Sequence, residues 1–260
     1  MTDKQKAMFQ NIVPWSNLWD TASEKPPTDL QEDTASSQPS QAIPVPDAPP
    51  GVHPAPDLNL SREAMMLALD VVPYPFDGCN ERLKRLNLSS RKFEESKREL
   101  EERTFCKIIK LGQTLYLVPT DKFFQAFGLE PPKQKRLLAL EHGFAIRLAA
   151  HLLRQDPLVR WVDIEVPLGD SGATVDLGVH RKDGSREAYE VTLSVGNISA
   201  NAAKLQDKGF AKIVFVCRDT SVRQAAWARL QQSGLAPDLL GRCRVVLFSA
   251  LAKRIKQIGR

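Results

Sequence analysis

The chain has 260 residues, a mass of 29.0 kDa, 42% apolar and 26% charged residues, and a formal net charge of +5 with a pI near 9.0. These are ordinary values for a soluble protein of one or two domains. No apolar run approaches the ~18 residues of a membrane span, and Met1 is followed by Thr-Asp-Lys-Gln-Lys, so neither a spanning helix nor a secretory signal is expected. Cys79, Cys106, Cys217 and Cys243 are far apart and form no CxxC pair. That pattern predicts reduced, buried thiols in a cytoplasmic protein and excludes a disulfide frame or a zinc site.

The charge is unevenly spread. Residues 1–60 hold three Lys/Arg against eight Asp/Glu, net −5, and ten of the 18 prolines. The remaining 200 residues therefore carry +10, which suggests a polyanionic partner, in the first place DNA. The stretch 23–58 is rich in Pro, Ser, Ala, Asp and Gln and lacks aromatics. It cannot bury enough apolar area to offset its chain entropy, and 1–60 is expected to be a disordered tail. Upstream, MFQNIVPWSNLW at 8–19 clusters Phe9, Ile12, Val13, Trp15 and Trp19. Such a patch reads as a docking peptide for a partner protein, or as a segment that packs on its own body.

From Ser61 the pattern becomes periodic. Met65, Met66, Leu67, Leu69 and Val72 give a helix with one buried face and Ser61 as N-cap, stopped by Pro73 and Pro75. CNERLKRLN (79–87) reads as a second helix, and RKFEESKRELEER (91–103), capped by Ser89 or Ser90, as a third. TFCKIIKL (104–111) and TLYLVPT (114–120) flank Gly112-Gln113 and predict a hairpin, followed by a short helix at 121–129. Three helices and a hairpin describe a winged helix-turn-helix over 61–135, whose third helix enters the DNA major groove while the hairpin touches the backbone. Arg91, Lys92, Lys97 and Arg98 are the expected DNA contacts. Five glutamates share their helix and the module nets only +3, so protein contact is the alternative use.

Residues 136–260 read as a second, α/β domain. A helix at 136–154 precedes three strands, VRWVDIEVP (159–167), ATVDLGVHR (173–181) and EAYEVTLS (187–194), the last two joined by Asp183-Gly184. A helix at 197–209, the apolar strand KIVFVC (212–217), a helix at 221–234, a strand at 244–249 and a basic terminal helix complete it. The order αβββαβ is that of the PD-(D/E)xK, restriction-endonuclease-like core. That chemistry needs two strand carboxylates to hold Mg²⁺ against a phosphodiester and a Lys to offset developing charge. Asp176 and Glu190 are the expected metal ligands, with Glu141 of the preceding helix as a third acid. The motif calls for Glu-x-Lys, but the chain has Glu190-Val191-Thr192. Lys204, on the following helix, is the candidate replacement. A helix-surface role is expected for His142, and packing for His151.

The runs LNLSSRKFEESKRELEERTF, LGQTLYLVPTDKFFQAFGLEPP, LEHGFA, VDLGV, YEVTLSVGNI and KLQDKGFAKIVFVC resemble a region found in or beside HerA/FtsK-type translocase ATPases of mobile elements. In that region a winged helix is paired with a restriction-endonuclease-like domain. The resemblance covers roughly residues 61–220 and implies a role in DNA processing in mobile elements or defence islands. Endings of the Glu-x-Thr type are familiar in that group. No Walker A pattern GxxxxGK[ST] is present, so an ATPase would be a separate partner, recruited through the tail. Two readings follow: a Mg²⁺-dependent DNA nuclease, or a non-catalytic DNA-binding adaptor that recruits such a partner. A sequence-specific transcription regulator is a third, which leaves the second domain without a purpose.

Overall fold

The structure, a computed structural model, describes residues 58–131, 139–169 and 172–258. The acidic tail and the docking segment 8–19 lie outside the described residues. What is described is mixed α/β, and no helix among these residues is long and apolar enough to cross a membrane.

The first unit comprises α1 (Arg62–Val71), α2 (Cys79–Leu86), α3 (Ser90–Glu102), the antiparallel hairpin β1 (Cys106–Leu111) and β2 (Thr114–Pro119), and α4 (Asp121–Phe127). Its helix starts follow from their caps. The Ser61 hydroxyl accepts from Ala64 N–H, Ser89 from Lys92 N–H and Thr120 from Phe123 N–H, each satisfying one otherwise orphaned donor. Leu67, Val71, Phe93, Leu100 and Phe123 form the core, at about 1.5–3 kcal/mol for each large side chain buried. Arg82 is fully buried and bonds Asp70 Oδ2 at 2.8 Å, while Arg85 bonds Asp70 Oδ1 at 2.7 Å. The first strand starts two residues later than the sequence pattern suggests, because Thr104 takes a left-handed turn (φ 59°).

The second unit comprises α5 (Leu140–Arg154), β3 (Val159–Pro167), β4 (Thr174–Arg181), β5 (Arg186–Thr192), α6 (Ile198–Lys204), β6 (Lys212–Cys217), α7 (Thr220–Gln231), α8 (Pro237–Arg242), β7 (Cys243–Leu247) and α9 (Phe248–Ile258). The five strands form one sheet in the order β3-β4-β5-β6-β7, with β3, β4 and β5 antiparallel and β5, β6 and β7 parallel. One face packs on α5 through Ala145, Ala149, Leu177, Tyr189 and Val216, the other on α6 and α7 through Ala188, Ala202, Phe215 and Leu230. Several elements differ from the sequence reading, three of them most clearly. The helix expected over 197–209 ends at Lys204, the short α8 has no counterpart in that reading, and the last strand gives way to α9 at Phe248. Phe248 is buried in the α5-side core, which accounts for its helical placement.

The hairpin belongs to both units. Its register pairs Ile108 with Leu117 and Ile109 with Tyr116. Strand alternation then sends Cys106, Ile108, Leu115 and Leu117 into the first core, and Ile109, Leu111, Tyr116 and Val118 into the second. Gly112 N–H donates to Arg218 O at 2.6 Å, which ties the turn to the end of β6. With both faces of the hairpin buried, contact with the DNA backbone as the sequence reading expects would fall to its edge. Only the β1 edge and the exposed lysines at its rim remain open.

Candidate functional site

Asp176 and Glu190 come together. The β4–β5 ladder ends with Leu177 opposite Tyr189, and one further step sets Asp176 opposite Glu190. Side chains opposite one another in neighbouring strands share a face. The strands part here, and Asp176 Oδ2 accepts the Val191 N–H at 2.8 Å. Both acids line a pocket of about 450 Å³ with His142, Thr192, Asn197, Asn201 and Lys204. The pocket lies toward the carboxyl end of β5, where open α/β sheets place their ligands.

Each carboxylate is held from a different element. Asn201 of α6 donates to Glu190 Oε2 at 3.2 Å. Lys204 Nζ, one turn further along α6, stands 2.8 Å from Glu190 Oε1. Lys204 Nζ also donates to Thr174 O at 2.8 Å, so the ammonium bridges β4 and Glu190. Glu190 is 3% exposed. Burial, and then the charge of Asp176, push its pKa up to about 7 against the opposing pull of Lys204. His142 Nε2 is 3.6 Å from Asp176 Oδ1, and that carboxylate raises the imidazole pKa.

The expected Lys204 and Thr192 therefore join the two acids, and Glu141 does not. Glu141 points into a neighbouring hollow, 3.6 Å from Arg218. The next residue, His142, takes the place expected for it. The sequence carries no signal that separates the two, since Glu141 heads the buried positions Phe144, Ala145 and Leu148 just as His142 heads Ala145, Ile146 and Ala149. Glu165 is the other residue the sequence hides. The β3–β4 register brackets it opposite Asp176, between the pairs Ile164–Leu177 and Val166–Val175. Its φ is 53° inside a strand, a left-handed conformation that costs a non-glycine residue on the order of 1–2 kcal/mol. The kink has a packing cause: Ile164 and Leu177 face the α5-side core, while Val166 and Val175 face the α6-side core. The same switch carries Asp176 to the Val191 N–H.

The expected DNA contacts on α3 are largely neutralised. Arg91 pairs with Glu95 and Lys92 with Glu63, and Lys97 is only 8% exposed and paired with Glu94. Lys97 lines a hollow between α2 and α3 together with Cys79, Phe93 and Glu94. Arg98 is exposed. All four cysteines are free and buried, and His151 stacks on Phe76 at 4.7 Å.

Among the described residues, no three or more His, Cys, Asp or Glu side chains converge as a ready-made metal cage. Magnesium does not require one, since one or two carboxylates commonly hold it while water and phosphate oxygens complete its octahedron. Burial and the neighbouring Asp176 outweigh Lys204 at Glu190, so a cation between the two carboxylates would relieve electrostatic cost. The two-carboxylate set fits the ion on those grounds. No family model matches the chain, and no curated protein and no solved structure matches it.

Proposed function

We propose that this is a DNA-binding protein whose second unit is a restriction-endonuclease-like domain that hydrolyses phosphodiesters with Mg²⁺, after a first unit built as a winged helix. The observation that carries the reading is the convergence of Asp176, Glu190 and Lys204 in one pocket, with the buried Glu190 charge only partly compensated. Three antiparallel strands, a helix and a parallel strand in that order agree with it. So does the lysine on the following helix, which meets the glutamate although Thr192 stands at the usual lysine position.

Asp176 and Glu190 would hold the ion, which when bound activates water and neutralises phosphate charge. Asn201 holds Glu190 at Oε2 and Lys204 at Oε1. The Val191 N–H and His142 fix Asp176 from its two oxygens. Lys204 is placed to offset the charge that develops on the phosphate. The test is cleavage of plasmid and branched DNA with Mg²⁺ or Mn²⁺ by wild type and Glu190→Ala. Cleavage by the wild type alone is expected. Equal activity, or none from either, removes the enzyme and leaves the second reading, which Thr192 favours: a DNA-binding adaptor of nuclease ancestry that recruits a partner such as a translocase ATPase.

A further inference from the structure

A second hollow, of about 350 Å³, opens where the two units meet, one residue along α5 from the candidate site. Its walls are the free edge of β1, from Lys107 to Lys110, with Gly112 on one side and Glu141, Arg218 and Asp219 on the other. β1 pairs only with β2, so its outer edge presents unpaired backbone groups to this space. Lys107 and Lys110 are exposed and, by register, lie on opposite faces of the hairpin, so their long side chains straddle that edge. The two acids of the hollow are already engaged. Asp219 caps α7 through Val222 N–H, accepts from the Ser221 hydroxyl and bonds Arg218 Nε at 3.2 Å. Glu141 is paired with Arg218. The lysines have no ion pair among the described residues.

The place is also fixed relative to the chemistry. Arg218 N–H donates to Thr192 O, and Arg218 O accepts from Gly112 N–H. One residue thus bridges the strand that carries Glu190 and the turn of the hairpin. Glu141 lines this hollow and His142 the other, so the two spaces share the first turn of α5 as their divide.

We infer that the backbone phosphates of duplex DNA are gripped at this junction, by Lys107 and Lys110 with Arg218 beside them, and not by the recognition-helix position α3. The inference rests on the nuclease reading only for the choice of DNA as the polyanion. The paired cations of α3 would have to give up Glu63, Glu94 and Glu95 before contacting phosphate.

The experiment is fluorescence anisotropy of a short mixed-sequence duplex, titrated in EDTA over a range of salt, so that cleavage plays no part. Wild type is compared with Lys107→Ala/Lys110→Ala and with Arg91→Ala/Arg98→Ala, all checked by melting. Loss of two phosphate contacts should weaken binding about tenfold and flatten the log–log salt slope by about 2. The α3 pair should change affinity less than about twofold, with the slope kept. A junction pair that loses no more than the helix pair, or a wild type that binds no duplex, overturns the inference. The outcomes are separable from those of the cleavage test. Junction-dependent binding without cleavage removes the nuclease and keeps this surface, and cleavage unaffected by the junction pair does the reverse.

Discussion

Glu187 and Glu190 lie three residues apart on β5, and each is 3% exposed, yet their environments are opposite. Burial alone would raise the pKa of Glu187. Arg181 overrides that with two bonds to Oε2, at 3.0 and 2.7 Å, and Lys212 and Tyr189 add to the downward shift. Arg181 also bonds Asp156 at 2.7 Å. At Glu190 burial and Asp176 win, and the acid is pushed up to about 7. Equal burial thus has two uses. At the amino end of the strand Glu187 is matched by Arg181 and Lys212, and the result is a satisfied network. At the carboxyl end an acid is left short of partners, in a pocket large enough for a ligand. A strained electrostatic balance inside a cavity is a mark of chemistry, whereas a satisfied network is a mark of architecture.

The largest way to break that contrast is Arg181→Met. It leaves two buried carboxylates without their cation and should cost about 3–5 kcal/mol in denaturant unfolding. A loss below about 1 kcal/mol would mean that Glu187 is not held as described. The sign with pH follows from the lowered pKa. Glu187 contributes stability above its ordinary value of 4.5, and that share fades as pH falls through its folded value.

Glu190→Gln should behave in the opposite way. Between 4.5, its ordinary value, and about 7 the folded protein keeps the proton on Glu190 that the unfolded chain releases. The wild type therefore loses stability as pH rises through that window, and a glutamine does not. The variant should be more stable than wild type by roughly 1–3 kcal/mol at pH 8 and show no advantage near pH 4. The proposed Mg²⁺ site predicts that the ion raises the melting temperature of the wild type and leaves that of the variant unchanged. A variant less stable than wild type at pH 8 would show that Glu190 is as well paired as Glu187.

Much of this was legible in the sequence. The patterns of β1, β2, β4 and β5, the caps at Ser61 and Ser89 and the apolar run of β6 are local signals, and they fell within two residues of the expected places. Asp176 and Glu190 were legible because an acid inside an apolar strand has few structural excuses, and the Asp183-Gly184 turn fixes their register. The remainder depends on long-range packing. His142 and Glu141 are neighbours in the chain, and only the helix phase against the sheet decides which enters the pocket. The left-handed Glu165 follows from two cores competing for adjacent residues, which no local pattern announces. The mixed charge of α3 was legible from its five glutamates, but the engagement of Lys92 by Glu63, on another helix, was not.

The smallest test compares two hydroxyls at the two ends of β5. The Tyr189 hydroxyl donates to Glu187 Oε2 at 3.1 Å and accepts from Arg181 at 3.3 Å. Tyr189→Phe removes one donor from a buried carboxylate that keeps its cations, so the expected loss is about 1 kcal/mol. Thr192 lines the candidate pocket, and no hydrogen bond of its hydroxyl is found among the described residues. Thr192→Val keeps the shape of the side chain and should change stability by less than about 0.5 kcal/mol. The two measurements together isolate the contrast from any effect of burial, since both side chains are nearly inaccessible. If the valine variant costs as much as the phenylalanine variant, the carboxyl end of β5 is a structural network like the amino end. A valine variant that melts as wild type but cleaves DNA more slowly would place the Thr192 hydroxyl at the substrate.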